Sequence, residues 1–181
     1  RVQHAAAEIP SSVTLELGGR NPVIVDETAK SSDTARKLVW GKLVNAGQSC
    51  MSPNYVLVHE KIYDQLLAQI KAAYKSAYGD AATHMQDSPY YSRLITPRHQ
   101  ARLQELVGTA VAAGAKVLIG GLGDTESSYL DPTFLTDVEL GNPFLEQELV
   151  GPILPFLKYK NLDDALAIIR KIDLLLAFYI F

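Results

Sequence analysis

Cysteine is almost absent from this sequence: Cys50 is the one thiol in 181 residues. No internal disulfide can form, nothing in the chain calls for an oxidising compartment, and an intracellular, cytoplasmic setting is the expectation. Long hydrophobic runs are lacking too. No stretch approaches the roughly 20 apolar residues that cross a bilayer, and no basic-then-apolar leader opens the chain. An excess of positive charge is also missing: 17 basic side chains stand against 20 acidic ones, a net charge of −3, with no dense Lys/Arg stripe. Nucleic acid is therefore not an expected partner, because phosphate binding draws on clustered cations. The histidines, His4, His59, His84 and His99, are scattered without metal-ligand spacing and have no cysteine pair to complete a zinc set, so no metal site is expected and all read as surface or structural. Gly-x-Gly-x-x-Gly does not occur, and no other glycine turn leads into a helix N-terminus that would hold a pyrophosphate.

What is present is an ordinary globular composition, 48% apolar and 20% charged, long enough for one substantial core. Residues 13–17 and 22–25 read as short strands separated by the turn-forming pair Gly18 and Gly19. Ser31 or Ser32 is the expected cap of a helix carrying Ala35, Leu38, Val39, Lys42 and Leu43 on one stripe to about residue 45. A strand at 55–58 is predicted next, then a helix with Ile62, Tyr63, Leu66, Ile70, Ala73 and Tyr74 on its inner face, stopping at Gly79. Thr96 followed by Pro97 signals another helix start, with Leu103, Leu106, Val107, Ala110 and Val111 along it and Gly114 past its end. Residues 116–119 are expected as a buried strand, 134–138 and 153–157 as further strands, Asn161 as the cap of a helix from 162 to about 171, and 174–181 as a terminal strand left unpaired. Alternation of this kind predicts an α/β layered domain with a mostly parallel sheet flanked by helices, since parallel neighbours need crossover connections.

Two segments carry residues suited to chemistry. Cys50 ends the run Asn45-Ala46-Gly47-Gln48-Ser49-Cys50, just beyond a helix and between Gly47 and Pro53, where a loop can present a thiol. Taken alone it reads as a small buried hydrophobe. Glu16, in Leu15-Glu16-Leu17-Gly18-Gly19, sits between leucines at the end of an apolar run; partial desolvation there would raise its pKa and suit it to accept a proton near neutrality. Alone, it reads as a glutamate on the exposed face of an edge strand.

Together the two motifs, 34 residues apart, resemble the paired active-site segments of the aldehyde dehydrogenase family. The runs Asn21-Pro22-Val23-Ile24-Val25, Trp40-Gly41-Lys42, Tyr129-Leu130-Asp131-Pro132-Thr133 and Gly151-Pro152-Ile153-Leu154-Pro155 are similar to its fatty and aromatic aldehyde branch, class 3, and the resemblance extends from end to end. It implies that Cys50 is the nucleophile, forming a thiohemiacetal and then a thioester, and that Glu16 activates the hydrolytic water. It further implies that Glu148, in Gln147-Glu148-Leu149-Val150-Gly151-Pro152, meets the ribose hydroxyls of NAD or NADP, and that the Leu17 main-chain carbonyl meets the nicotinamide amide. Val150 replaces the usual phenylalanine of that motif and Arg20 the usual lysine.

The same resemblance assigns residues 1–14 to the tail of a cofactor-binding domain and its linker, and 15–181 to a catalytic domain cut at its C-terminal end. On that reading the adenine and pyrophosphate site and the side-chain oxyanion donor lie outside these residues, the substrate is a small-molecule aldehyde, the complete protein forms a homodimer, and some relatives carry a membrane anchor. The alternative is a shortened, non-oxidising domain that binds or oligomerises through its terminal strand, with residual thiol esterase activity at Cys50.

Overall fold

The computed structural model describes residues 1–9, 11–79, 85–172 and 175–181. Helix α1 (Val2–Ala7) has no buried residue, and an irregular segment leads from it to β1 (Asn21–Val25). There follow α2 (Ser31–Leu43), β2 (Pro53–His59), α3 (Tyr63–Tyr78), α4 (Pro97–Ala112), β3 (Lys116–Ile119), a small hairpin of β4 (Gly123–Asp124) and β5 (Tyr129–Leu130), β6 (Thr133–Thr136), β7 (Ile153–Tyr159), α5 (Leu162–Ile172) and β8 (Tyr179–Ile180). The main sheet runs β3-β6-β7-β2-β1-β8, parallel throughout except for β3, which pairs antiparallel with β6 at the edge.

The period-2 geometry of a strand divides the core in two. On β2, Val56 and Val58 face a cluster with Leu38 and Val39 of α2 and Leu66, Ile70 and Tyr74 of α3. Tyr55 and Leu57 face the other cluster, with Leu103, Val107 and Ala110 of α4 and Ile168, Ile169 and Ile172 of α5. A sheet covered on both faces explains why β1 and β2 are buried at every position, with apolar or aromatic side chains at 22–25 and 55–58. The mostly parallel α/β architecture expected from the alternation is thus the one observed.

Several local expectations need correction. Residues 13–17 form no strand and pair with none among the described residues; Leu15, Glu16 and Leu17 are exposed. The cap of α2 is Lys30, without a side-chain bond, rather than Ser31 or Ser32. Strand β3 is largely exposed, as an edge strand with one open face is free to be. The terminal run is not unpaired: β8 joins β1 with Val23 opposite Tyr179 and Ile24 opposite Ile180, although Leu174 lies outside the described residues. Other signals are as read: Thr96 accepts the His99 N–H at the start of α4, and Asn161 accepts the Asp164 N–H at the start of α5. Among the described residues no helix is long and apolar enough to cross a membrane, and no group of acidic, histidine or cysteine side chains is placed to hold a metal.

Candidate active site

Parallel strands share one amino end, and three adjacent ones, β7, β2 and β1, are entered there by the segments singled out in the sequence: 148–152, 50–52 and 16–20. The sheet therefore gathers residues that are far apart along the chain.

Helix α2 stops at Leu43 and the backbone leaves it along a left-handed path, with φ of 51° at Asn45, 51° at Ala46 and 69° at Gly47. For the two residues that carry a Cβ this costs roughly 1–2 kcal/mol each, a strain that a loop keeps only when its surroundings hold it. Gly47 is held by close approach: a Cβ there would lie 2.2 Å from the Gly151 carbonyl oxygen. Gln48 fastens the loop on its other side, donating to the Arg93 carbonyl at 3.0 Å and accepting the Ile95 N–H at 3.0 Å. Cys50 follows, exposed on a turn closed by the Ser52 N–H donating to the Ser49 carbonyl at 3.1 Å.

Asn21, wholly buried, fixes that turn from β1. Its amide donates to the carbonyls of Cys50 at 2.7 Å and Ser52 at 3.0 Å, and its oxygen accepts the N–H groups of Leu176 at 3.2 Å and Ala177 at 2.8 Å. Asn54 ties β2 to the Glu148 segment, donating to the Gln147 carbonyl at 3.2 Å and accepting the Leu149 N–H at 2.7 Å. Lys42 is buried completely; its ammonium donates to the Pro53 carbonyl at 2.7 Å and the Leu149 carbonyl at 3.4 Å, and burial pushes its pKa down to about 7.

Glu148 accepts the Gly19 N–H at 3.2 Å, and its carboxylate crowds the α-carbon of Gly18, where a Cβ would stand 2.0 Å from Oε1. Leu17 and Glu148 line one cavity of about 240 Å³, so the structure brings together the two residues expected to meet a nicotinamide riboside. Glu16 is different. It is exposed, and among the described residues no hydrogen bond joins it to Cys50 or anything else, so the desolvation expected from its leucine neighbours is absent. Val150, in place of phenylalanine, contributes its carbonyl to His99 Nε2 at 2.5 Å, which makes His99 structural as expected. His59 is likewise structural, accepting the Lys61 N–H, whereas His84 lies outside the described residues.

A second cavity, about 480 Å³, lies against the Cys50 turn and is walled by Leu38, Trp40, Val44, Met51 and Tyr179, with Ser49 among its polar groups. Ser49 and Met51 are the neighbours of Cys50 on either side. Tyr179 donates its hydroxyl to the Met51 carbonyl at 2.6 Å; its pKa is raised by burial and, secondarily, by the charge of Cys50. A larger cavity of about 800 Å³, beside Lys116, Asp137 and Lys158, touches none of these residues.

Comparison with known proteins shows the family. The model of the aldehyde dehydrogenase family matches residues 1–181. The chain belongs to the aldehyde dehydrogenase family. It is 38% identical to the 4,4'-diaponeurosporen-aldehyde dehydrogenase of Staphylococcus aureus, over 99% of this chain and 38% of the relative, and 38% identical to aldehyde dehydrogenase family 3 member A2 of Mus musculus, over 99% of this chain and 36% of that one. Class 3 similarity, inferred above from short runs, is thus shown. A solved substrate-bound Staphylococcus aureus AldH superposes with a TM-score of 0.91 at 38% identity, covering 99% of this chain and 38% of that one. An NAD-dependent aldehyde dehydrogenase from Sinorhizobium meliloti does so at 0.79 and 30% identity, covering 92% of this chain and 33% of its own. The chain thus spans under two-fifths of the length of these relatives.

Sequence reasoning had no role for Asn21, Lys42 and Asn54. A lysine on the apolar stripe of α2 was the one available signal, and its complete burial was visible only once the helix was packed.

Proposed function

We propose that this chain carries the thioester half of an NAD(P)-dependent aldehyde dehydrogenase acting on apolar aldehydes, with 1–14 as the tail of a cofactor domain and 15–181 as part of the catalytic domain. The observation that carries the reading is the apolar cavity of about 480 Å³ whose wall includes both neighbours of the only thiol. An aldehyde with a hydrocarbon or aromatic body fits such a wall, since burying apolar area is worth about 25 cal/mol per Å².

In this mechanism the Cys50 thiolate adds to the aldehyde carbon, forming a C–S bond and a thiohemiacetal oxyanion. The nicotinamide supplies the acceptor for the hydride that leaves this carbon. Glu148 would hold the ribose hydroxyls and the Leu17 main-chain carbonyl the carboxamide, since both residues line one small cavity and the Glu148 carboxylate lies close against Gly18. Glu16 then takes a proton from water; the water oxygen adds to the thioester carbonyl, the C–S bond breaks, the thiolate returns and the carboxylic acid leaves. Its exposed position in the irregular segment before Gly18 and Gly19 lets it serve bulk water. In the complete protein a homodimer accompanies this activity.

Formation of reduced nicotinamide by the full-length polypeptide with octanal or benzaldehyde, assayed with NAD and with NADP, tests the proposal. Cys50→Ala is expected to lower turnover by about 10⁴-fold or more. Unchanged turnover in that variant refutes it.

A further inference from the structure

A lysine ammonium taken wholly out of water is costly unless it is paired, and among the described residues no carboxylate lies within ion-pair reach of Lys42. A methionine at this position of α2 would fill the same stripe at no electrostatic cost. What the ammonium does is bond two carbonyls that belong to different segments: Pro53, which follows the nucleophile turn, and Leu149, which follows Glu148. Asn54 joins the same two segments with its amide, and Gly47 meets Gly151 backbone to backbone. Lys42 adds the third body, the end of α2 from which the nucleophile loop departs. A charge-assisted bond is about twice as strong as a neutral one and is directional, so its donors set the spacing of the segments they join.

We infer that Lys42 is a positioning residue that locks the nucleophile turn and the Glu148 segment into one mechanical unit, holding the thiol and the cofactor carboxylate in register. The inference rests on the assignment of Cys50 and Glu148 above, and it concerns their mutual placement rather than their chemistry. Lys42 itself lines neither the apolar cavity beside Cys50 nor the one shared by Leu17 and Glu148. Loss of the ammonium releases both segments at once, although they are about a hundred residues apart in sequence.

Hydrogen exchange of the backbone amides at pH 6, where the folded chain still holds the Lys42 proton, read by mass spectrometry on the whole polypeptide, tests this directly. In Lys42→Met, protection is expected to fall by about 10-fold or more, the loss of one charge-assisted bond, both at 49–52 and at 147–151. The strand centres at 56–58 and 154–157 are expected to keep theirs. Lys42→Gln, whose neutral amide still donates, is expected to lie between. Loss of protection in one segment alone, in neither, or uniformly across the sheet overturns the inference, the last outcome marking Lys42 as a residue of global stability. Because the exchange readout involves no turnover, its failure is distinct from an active Cys50→Ala variant, which would refute the catalytic assignment instead.

Discussion

Lys42→Met also changes how stability depends on pH, and by an amount the structure determines. The ammonium is completely buried, so its pKa of about 7 in the fold stands against 10.5 in the unfolded chain. At about 1.36 kcal/mol per pKa unit the full difference is about 5 kcal/mol. Its sign follows from proton counting. Between pH 7 and 10.5 the unfolded chain holds the lysine proton and the folded chain does not, so stability rises with pH across that window. Below about pH 7 both states hold the proton and burial of the charge is fully destabilising. Between pH 7 and 9 the contribution recovers by about 2 kcal/mol. Urea unfolding of the wild-type and Lys42→Met chains at pH 7, 8 and 9 isolates this lysine, because the other titrating groups cancel in the difference. The wild type is expected to gain about 2 kcal/mol on the variant over that range. A difference that stays flat from pH 7 to 9 refutes the reasoning, since it would mean that the lysine finds water or an anionic partner in the fold.

Gly18→Ala introduces a Cβ 2.0 Å from Glu148 Oε1 and must push that carboxylate out of the cavity it shares with Leu17; the expected outcome is a KM for the nicotinamide cofactor raised about 10-fold or more with a melting temperature close to wild type, measured by steady-state kinetics and a thermal scan of the full-length polypeptide. Asn21→Ala strips hydrogen bonds from the carbonyls of Cys50 and Ser52 and from the N–H groups of Leu176 and Ala177. It is expected to destabilise the chain by about 3 kcal/mol in denaturant unfolding, since each buried group left unpaired costs about 1–3 kcal/mol and some of these regain water.

Local signals carried most of the element order. Thr96 with Pro97 announced α4, Asn161 announced α5, and the stripes of α2 and α3 followed the helical period, because caps and periodicity act within a few residues. The run 13–17 misled for the same reason: alternating Leu-Glu-Leu has strand character, yet a strand exists only where an edge accepts it. The hairpin of β4 and β5 escaped notice because two-residue strands have no period to detect.

The sequence by itself determined the family, through motifs around Glu16, Cys50 and Glu148 that are contiguous in the chain, and it determined the layered α/β class through its alternation of element types. Only the tertiary structure decided what holds the Cys50 turn. Asn21, Lys42 and Asn54 work by hydrogen-bonding main-chain carbonyls and amides of segments up to 156 residues away. A main-chain carbonyl is the same group at every residue, so the identity of its partner leaves no mark on the residue that provides it. The exposure of Glu16 was decided the same way, by which edges the parallel sheet left open rather than by the leucines on either side.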